Sequence, residues 1–335
     1  MRCFEGRAQD ACSPQSGITC PIKQPKVAFG IDWGRGCLVE HRFGGRHTDD
    51  KLERLRQYLT AFATALKNKG FVRVYVDAFA GSGDRAQTLP ALPLLGDRDT
   101  EPVVLTVPGS ARLALNIQPA LDIVVLIERD PTRFEALEKL RLEHSNRNIC
   151  CHAGDANTAI RRLCETLPWQ GSAAVPRGMR AVIFLDPYGM EVDWETVKAI
   201  AATQAVDLWY FFPLMGIYRQ AARDAVDIDE KKRAELNRVL GTTDWEDAWY
   251  KSGNSQSDLF DNTTSRLRIA DVTAIEAYVK KRLQTVFKGV VLDPLRIKNA
   301  RGAPLASLFF AVANPNKRAV KVATDIASHI LASGK

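Results

Sequence analysis

The sequence has little of what marks membrane-spanning, disulfide-rich or nucleotide-hydrolysing proteins. No apolar run approaches the length of a membrane span, so we expect no transmembrane segment. The seven cysteines form no C-x-x-C pair, and no charged, apolar and small-residue signal sequence precedes them, so we expect a reducing, cytoplasmic setting. A G-x-x-x-x-G-K-[ST] phosphate loop is also missing, which disfavours a P-loop fold.

The sequence also has no cysteine and histidine residues at the spacing of a known structural zinc site. Cys37, His41 and His47 lie close together in sequence and could in principle bind zinc with the earlier cysteines. Their spacing matches no structural zinc pattern, so we interpret them as loop residues and expect no bound metal.

The composition favours a globular α/β protein with an anionic partner. With 335 residues, of which 46% are hydrophobic, the chain can bury a sizeable core in one large domain or two small ones. A formal net charge of +7 is a mild bias toward RNA or DNA.

Sequence periodicity divides the chain into an extension and one long domain. Residues 1–47 have no usable period, which predicts a poorly ordered extension, and 48–335 form the predicted domain. An amphipathic helix is predicted from Thr48 to Gly70, because leucines recur at helical spacing. Buried strands are then predicted over 72–77, 123–127, 148–152, 181–185 and 205–212, with helices between them. A helix over 272–287, a β-hairpin of 290–297 with 305–312, and a helix over 318–331 complete the prediction.

The first strand ends in an acid followed by a glycine turn. Asp77 closes the strand, and Gly81 and Gly83 permit close approach of the backbone to a ligand. In doubly wound sheets ligands bind outside the carboxyl ends of the strands, where the strand order reverses. With Phe79, these residues form a D-x-F-x-G-x-G pattern that resembles the first motif of class I S-adenosylmethionine-dependent methyltransferases. The resemblance implies that the loop passes under the methionine half of the cofactor and that Asp77 orients its amino group or a bridging water; a tight turn without a ligand is the alternative.

Acidic residues follow the next two strands. Glu128 ends the second strand, where a carboxylate can accept hydrogen bonds from both ribose hydroxyls of a nucleoside cofactor; the alternative is an acid that interacts with a helix dipole. Asp155 follows the third strand, and the methyltransferase resemblance implies that it contacts the adenine amino group. Helix capping alone would also explain an Asp at this position.

The fourth strand delivers Asp186, Pro187 and Tyr188. A carboxylate can hold the hydrogens of an sp² amine while an aromatic ring stacks on its base. The motif resembles that of methyltransferases acting on exocyclic amines of nucleobases, and Leu-Asp-Pro-Tyr-Gly especially resembles the tRNA guanine N2-dimethyltransferase motif. The resemblance implies that Asp186 and Tyr188 position the amine. The alternative, a proline-fixed turn, explains Pro187 but not the acid and the aromatic residue together.

Two insertions interrupt the predicted pattern. Residues 84–108 are predicted to be an inserted loop, either a lid over the cofactor or a surface loop. Residues 214–270 are predicted to be a partly helical insertion in which Trp245, Trp249 and Tyr250 lie near basic residues. These rings could hold a single strand or a flipped base, but a subdomain that buries its own tryptophans is favoured.

Together these features predict a doubly wound, Rossmann-like α/β fold. Five strand–helix units followed by a helix and a hairpin give the seven-stranded order of class I methyltransferases, with a terminal β-hairpin. Over about residues 45–332 the chain also resembles the three-Cys-motif partner (TcmP) family, through the motifs at 77–83 and 184–190, D-L-W-Y-F-F-P at 207–213 and A-V-A-N-P at 311–315. That resemblance implies a bacterial setting and a radical-SAM-like partner that carries the three cysteines.

Two functions are compatible with these residues. The first is a methyltransferase acting on a nucleobase amine in RNA or DNA, with S-adenosylmethionine held by Asp77, Gly81, Gly83, Glu128 and Asp155. The second is a non-catalytic nucleic-acid-binding or scaffolding subunit of the radical-SAM-like partner, because the motif after Asp186 has a single proline where many amine methyltransferases have two.

Overall fold

The computed structural model describes residues 46–89, 103–252, 266–299 and 302–333. The predictions for the extension before Arg46, including the segment with Cys37 and His41, lie outside these ranges.

Strands and helices alternate along most of the described chain. The strands are β1 (Val72–Asp77), β2 (Asp84–Leu89), β3 (Val103–Pro108), β4 (Ile123–Glu128), β5 (Ile149–Ala153), β6 (Met179–Leu185), β7 (Val206–Phe212), β8 (Tyr250–Ser252), β9 (Arg266–Arg268), β10 (Val290–Val291), β11 (Leu295–Lys298) and β12 (Pro304–Val312). The helices are α1 (Arg46–Leu66), α2 (Ser110–Asn116), α3 (Pro131–Glu143), α4 (Ala156–Thr166), α5 (Trp194–Ala202), α6 (Leu214–Gln220), α7 (Glu230–Leu240), α8 (Trp245–Trp249), α9 (Val272–Val286) and α10 (Lys317–Ala332).

The central sheet has the predicted strand order. Its strands lie in the order β10-β12-β7-β6-β1-β4-β5, and β11 also pairs with β12. β5, β4, β1, β6 and β7 are parallel, whereas β12 is antiparallel to β7. Reversal of the strand order beside β1 and an antiparallel strand near the far edge are the features of a methyltransferase-like Rossmann sheet. The prediction of a doubly wound α/β fold with a terminal hairpin is therefore confirmed.

β1 lies at the centre of the sheet because it is apolar on both faces. It pairs with β6 on one side and β4 on the other, and Val74, Tyr75 and Val76 are fully buried. Parallel strands covered on both faces have continuous apolar sequences, which explains why the predicted limits of β1 coincide with the observed ones.

The first and last helices pack against one another and onto the sheet. Tyr58 of α1 makes edge contacts with Trp209 of β7 and Phe310 of β12, with ring centroids 5.3 and 5.0 Å apart. The guanidinium of Arg54 donates to the Ser333 carbonyl after α10, at 2.7 Å. α1 thus covers one face of the sheet, as its leucine pattern predicts, although it begins at Arg46 and not at Thr48. Within the described ranges, none of the helices is both long enough and apolar enough to cross a membrane.

Two predicted segments differ from the observed ones. Between 84 and 108 the described residues form the antiparallel pair β2–β3, in register from Asp84 with Pro108 to Leu89 with Val103, and not an irregular loop. The β-branched residues of β3 favour a strand, a preference that the polar and proline-rich residues before it obscured. The predicted strand 290–297 is split into β10 and β11, because Pro294 lies between them and cannot donate to a ladder.

The second insertion buries its own aromatic rings. It contains α6–α8, a short 3₁₀ turn (Ala225–Asp227) and the β8–β9 pair. Trp245, Trp249 and Tyr250 are at most 2% exposed, and the two indole rings lie 5.4 Å apart. These rings therefore form a small core and are not available to stack on a base, as the favoured interpretation expects.

Candidate active site

A cleft of about 1100 Å³ opens at the carboxyl ends of β1, β4, β5 and β6. Five of the nine residues predicted for the site line it: Phe79, Glu128, Asp155, Asp186 and Tyr188. Two helices begin at this edge, because Asp130, which caps α3, and Asp155, which caps α4, both line the cleft. The topology thus brings residues from four strand ends, more than a hundred positions apart in sequence, to one cleft.

The other four predicted residues lie beneath or beside the cleft and are not part of its described lining. Asp77 is fully buried, and Pro187 is buried in the turn after β6. Gly81 and Gly83 lie in the turn after β1 and have positive φ angles of 61° and 84°.

Asp77 is a buried carboxylate with one oxygen unpaired. The Tyr75 hydroxyl donates to Oδ2 at 3.0 Å, whereas Oδ1 has no hydrogen-bond partner among the described residues. Burial raises the pKa of Asp77 to about 6; the neighbouring hydroxyls of Ser110 and Tyr75 oppose this rise, and the charge of Asp186 adds to it.

The glycine turn is fixed to the end of β4. The Gly81 amide donates to Glu128 Oε2 at 2.9 Å. Gly83 packs closely against α3, since a Cβ there would lie 2.7 Å from a Leu140 methyl group. Any side chain at 83 would meet both that contact and a left-handed backbone, so the second glycine serves packing. A Cβ on Gly81 would meet nothing within 4 Å, which leaves open space beside the turn.

Glu128 is held by backbone amides on both oxygens. In addition to the Gly81 contact, Oε1 accepts from the Asp130 amide at 2.9 Å. A carboxylate has about four acceptor positions, so two remain for hydroxyl donors in the cleft.

Asp155 acts as a helix cap. Its Oδ1 accepts from the backbone amide and the hydroxyl of Thr158, at 2.8 and 2.9 Å. The side chain is exposed in the cleft, and a contact with an adenine ring stays a prediction.

Asp186 is paired with a lysine that the sequence reasoning missed. Lys51 of α1 donates to Asp186 Oδ1 and Oδ2, at 2.8 and 2.6 Å, and its Nζ lies 4.2 Å from the ring centroid of Phe211. Lys51 is only 8% exposed. The signal was present in the sequence, because Lys51 precedes Leu55 and Leu59 at intervals of four and therefore lies on the buried face of the helix.

The loop after β6 is held from two sides. Tyr188 is 67% exposed in the cleft, and its backbone amide donates to Glu191 Oε2 at 3.1 Å. Glu191 also pairs with Arg129, which follows β4, at 3.2 Å. Asn157 of α4 donates to the Glu191 carbonyl at 2.8 Å. The turn that carries Tyr188 is thus held by Glu191, which Arg129 and Asn157 hold in their turn.

The second insertion contributes Arg238 to the contacts of this loop. From α7, its guanidinium donates to Asp193 Oδ1 and to the Met190 carbonyl, both at 2.5 Å, and it lines the cleft. Neither contact has a local sequence signal, because the partners are more than 40 residues apart.

No family model matches the chain, and no curated protein sequence matches it. Among solved structures it is similar to LPL1258 from Legionella pneumophila, described with the family-model DUF519 (15% identity, 88% of this chain and 96% of that one, TM-score 0.44). It is also similar to the N-terminal domain of EvdMO1 with SAH bound (12% identity, 77% and 79%, TM-score 0.35). A third is M. jannaschii TYW2 in complex with AdoMet (12% identity, 80% and 76%, TM-score 0.31). The fold assignment rests on the strand order described above.

Proposed function

We propose that this protein is an S-adenosylmethionine-dependent methyltransferase that acts on an exocyclic amine of a nucleobase in RNA or DNA. The observation that carries the proposal is the convergence of Glu128, Asp186 and Tyr188 on one cleft, at the ends of the two strands that flank β1 in a methyltransferase-order sheet. The proposed reaction needs an acid that binds the ribose of the cofactor, which Glu128 would supply. It also needs an acid and an aromatic ring that hold a planar amine, which Asp186 and Tyr188 would supply.

The residues at the cleft fit the proposed cofactor. Ligand pockets of about 300–1000 Å³ accommodate drug-sized molecules, so a cleft of about 1100 Å³ has room for the cofactor and part of a substrate. Open space beside Gly81 suits the methionine half, the two remaining acceptor positions of Glu128 suit the ribose hydroxyls, and Asp155 is exposed where an adenine would follow. The unpaired Oδ1 of Asp77 belongs to the last residue of β1, two positions before Phe79, which lines the cleft.

In this proposal Asp186 and Tyr188 hold the accepting amine. Asp186 accepts a hydrogen bond from an N–H of the amine and so turns the lone pair of the amine nitrogen toward the reacting carbon. Tyr188 stacks on the base, and Pro187 fixes the turn between Asp186 and Tyr188. The bound cofactor would supply a methyl group whose C–S bond breaks, with its electron pair going to sulfur, as the amine forms a C–N bond and loses a proton to solvent.

The proposal includes a partner protein, a cellular setting and a substrate class. The sequence resemblance to three-Cys-motif partner proteins supports a radical-SAM-like partner in a bacterial cytoplasm, and the net charge of +7 supports a nucleic-acid substrate.

One observation favours a second function, the non-catalytic nucleic-acid-binding or scaffolding subunit. Both Asp186 oxygens already accept hydrogen bonds from Lys51. Such pairing is expected of a carboxylate that takes no part in catalysis. In that case the cleft would serve the partner's assembly and not turnover.

The first experiment is calorimetric titration with S-adenosylhomocysteine (SAH) of the wild type, Glu128→Ala and the control Glu135→Ala, an exposed acid on α3. We expect binding on the order of micromolar, at least about tenfold weaker in Glu128→Ala only, since a hydrogen bond to a charged group contributes roughly 1.5–3 kcal/mol. Failure of the wild type to bind SAH refutes the enzyme proposal.

The second experiment separates the two functions. Transfer of labelled methyl groups to bulk RNA and DNA is measured with and without the partner, for the wild type and Asp186→Ala. Transfer that Asp186→Ala abolishes supports the enzyme, whereas SAH binding with no transfer in any mixture supports the scaffold.

A further inference from the structure

The Lys51–Asp186 pair has a direction. Asp186 lines the cleft, whereas Lys51 is not among the described residues that line it. Lys51 reaches the carboxylate from α1, where its ammonium is enclosed by the Asp186 oxygens and the Phe211 ring. The cleft therefore meets a carboxylate whose charge is compensated from behind.

Such an arrangement is costly for the protein to keep. Burying a lysine ammonium carries a large desolvation penalty, and only close geometry to a carboxylate and a favourable ring contact offset it. An apolar residue at 51 would continue the buried face that Leu55, Tyr58 and Leu59 form. A charged group at this buried position points to a role at the carboxylate that it contacts.

Two other acids that line the cleft with Tyr188 are also paired with bases, although these bases line the cleft themselves. Glu191 pairs with Arg129 at 3.2 Å, and Asp193 pairs with Arg238 at 2.5 Å. In all three pairs the base comes from a different element than the acid. The part of the cleft around Tyr188 therefore offers hydrogen-bond acceptors with little net charge.

Resting on the proposed function, we propose that Lys51 is a specificity-determining residue, which makes the Asp186 position select a neutral aryl amine over a cationic alkyl amine. An uncompensated carboxylate holds an ammonium more strongly than a neutral N–H, because charge-assisted hydrogen bonds are about twice as strong. An ammonium has no lone pair and cannot accept a methyl group, so it would bind without reacting. With Lys51 in place, a second cation beside Asp186 meets a like charge, whereas a nucleobase amine does not.

The test compares neutral and cationic amines as ligands of the SAH-saturated protein. Calorimetry or ligand-observed NMR gives the affinities of adenosine, guanosine and cytidine, which carry neutral aryl amines, and of spermidine, which is cationic. The variants are Lys51→Met, which removes the charge, and Lys51→Gln, which keeps a donor to Asp186 but no charge. Lys51→Arg keeps the charge, and Lys198→Met, an exposed lysine paired with Glu195, is the matched control.

We expect the wild type, Lys51→Arg and Lys198→Met to prefer at least one nucleoside over spermidine by about tenfold or more. In Lys51→Met and Lys51→Gln, spermidine affinity rises about tenfold while nucleoside affinity changes by less than about threefold. Because Lys51→Gln retains hydrogen bonding, it tests the charge even where Lys51→Met fails to fold.

The outcomes separate this inference from the function on which it rests. SAH binding is measured first on every variant, and its absence in the wild type refutes the methyltransferase proposal itself. SAH binding with an unchanged nucleoside-to-spermidine ratio in Lys51→Gln overturns only the role of Lys51. Wild-type protein that binds SAH but prefers spermidine, or binds none of the nucleosides at millimolar concentration, overturns it too.

Discussion

Replacing Asp77 with Asn tests whether the buried carboxylate at the end of β1 is kept for a ligand at the expense of stability. Asp77 is fully buried, one of its oxygens is unpaired, and burial raises its pKa to about 6. Asn has the same shape, carries no charge and can still accept from Tyr75. We therefore expect Asp77→Asn to stabilise the fold at neutral pH and to weaken SAH binding.

The size and sign follow from the pKa. A rise from the ordinary 3.8 to about 6 corresponds to about 3 kcal/mol at neutral pH, since each unit is worth about 1.4 kcal/mol. Between these two values the folded protein binds more protons than the unfolded chain, so stability falls as pH rises through this window and is level above it. We expect about 1–3 kcal/mol of gain above pH 7, because the buried amide needs a partner for its own donors.

Urea unfolding from about pH 4 to pH 8 measures this, with Asp207→Asn as the matched control. Asp207 also accepts from a tyrosine, Tyr58 at 2.8 Å, and burial raises its pKa to about 7, but it lies near the amino end of β7, away from the cleft. Both variants should be stabilised at pH 8 and match the wild type near pH 4. Only Asp77→Asn should bind SAH at least about tenfold more weakly.

A less stable Asp77→Asn protein at pH 8 would refute the reasoning, because it would mean that the folded state favours the ionised carboxylate. Equal loss of SAH binding in both variants would show that the effect does not arise at the cleft.

Two further predictions concern the cleft helix and the insertion. Asp155→Ala should lower stability by about 1 kcal/mol through loss of the α4 cap, whereas Asp155→Ser restores the cap. Calorimetry gives the SAH affinity of both variants. An affinity that is low in the Ala variant and stays low in the Ser variant would indicate an adenine contact, whereas an affinity that returns with the cap would contradict one. Gly241→Ala should cost about 2–4 kcal/mol, because φ is 65° and its Cβ would lie 1.9 Å from the Trp194 ring. Gly302→Ala, with φ of 78° and nothing within 4 Å, should cost only about 1 kcal/mol in the same thermal unfolding assay, and equal losses would contradict the role of the ring contact.

The fold could be predicted from the sequence where a strand consists of consecutive buried residues. β1 and β6 are apolar on both faces, so their sequences indicate strands without any knowledge of their neighbours. The local signals failed in two places: β3 follows a proline-rich segment, and Pro294 divides β10 from β11. In these places pairing with another segment decides the structure, and pairing is not a local property.

The candidate site could be predicted only in part, because contacts between distant segments are not a local property of the sequence. Glu128 and Asp186 end their strands, and the topology of parallel strands then places both at one edge. Lys51 lies 135 positions before Asp186 on another element. Helical spacing shows that Lys51 lies on the buried side of α1, but not which side chain that face meets. The compensating charges of the cleft could therefore be found only from the structure.

The position of β12 has a consequence for synthesis of the chain. β12 forms one whole edge of pairing for β7, from Ser307 with Phe212 to Val312 with Asp207. A ribosome completes β7 about ninety residues before it reaches Pro304, an interval of roughly 5–20 s at about 5–20 residues per second. Throughout it, β7 can pair with β6 on one side, but the edge that β12 will cover stays unpaired in a strand rich in aromatic residues, which is a template for aggregation. A nonsense codon anywhere in that interval should therefore yield inclusion bodies and not a smaller working protein.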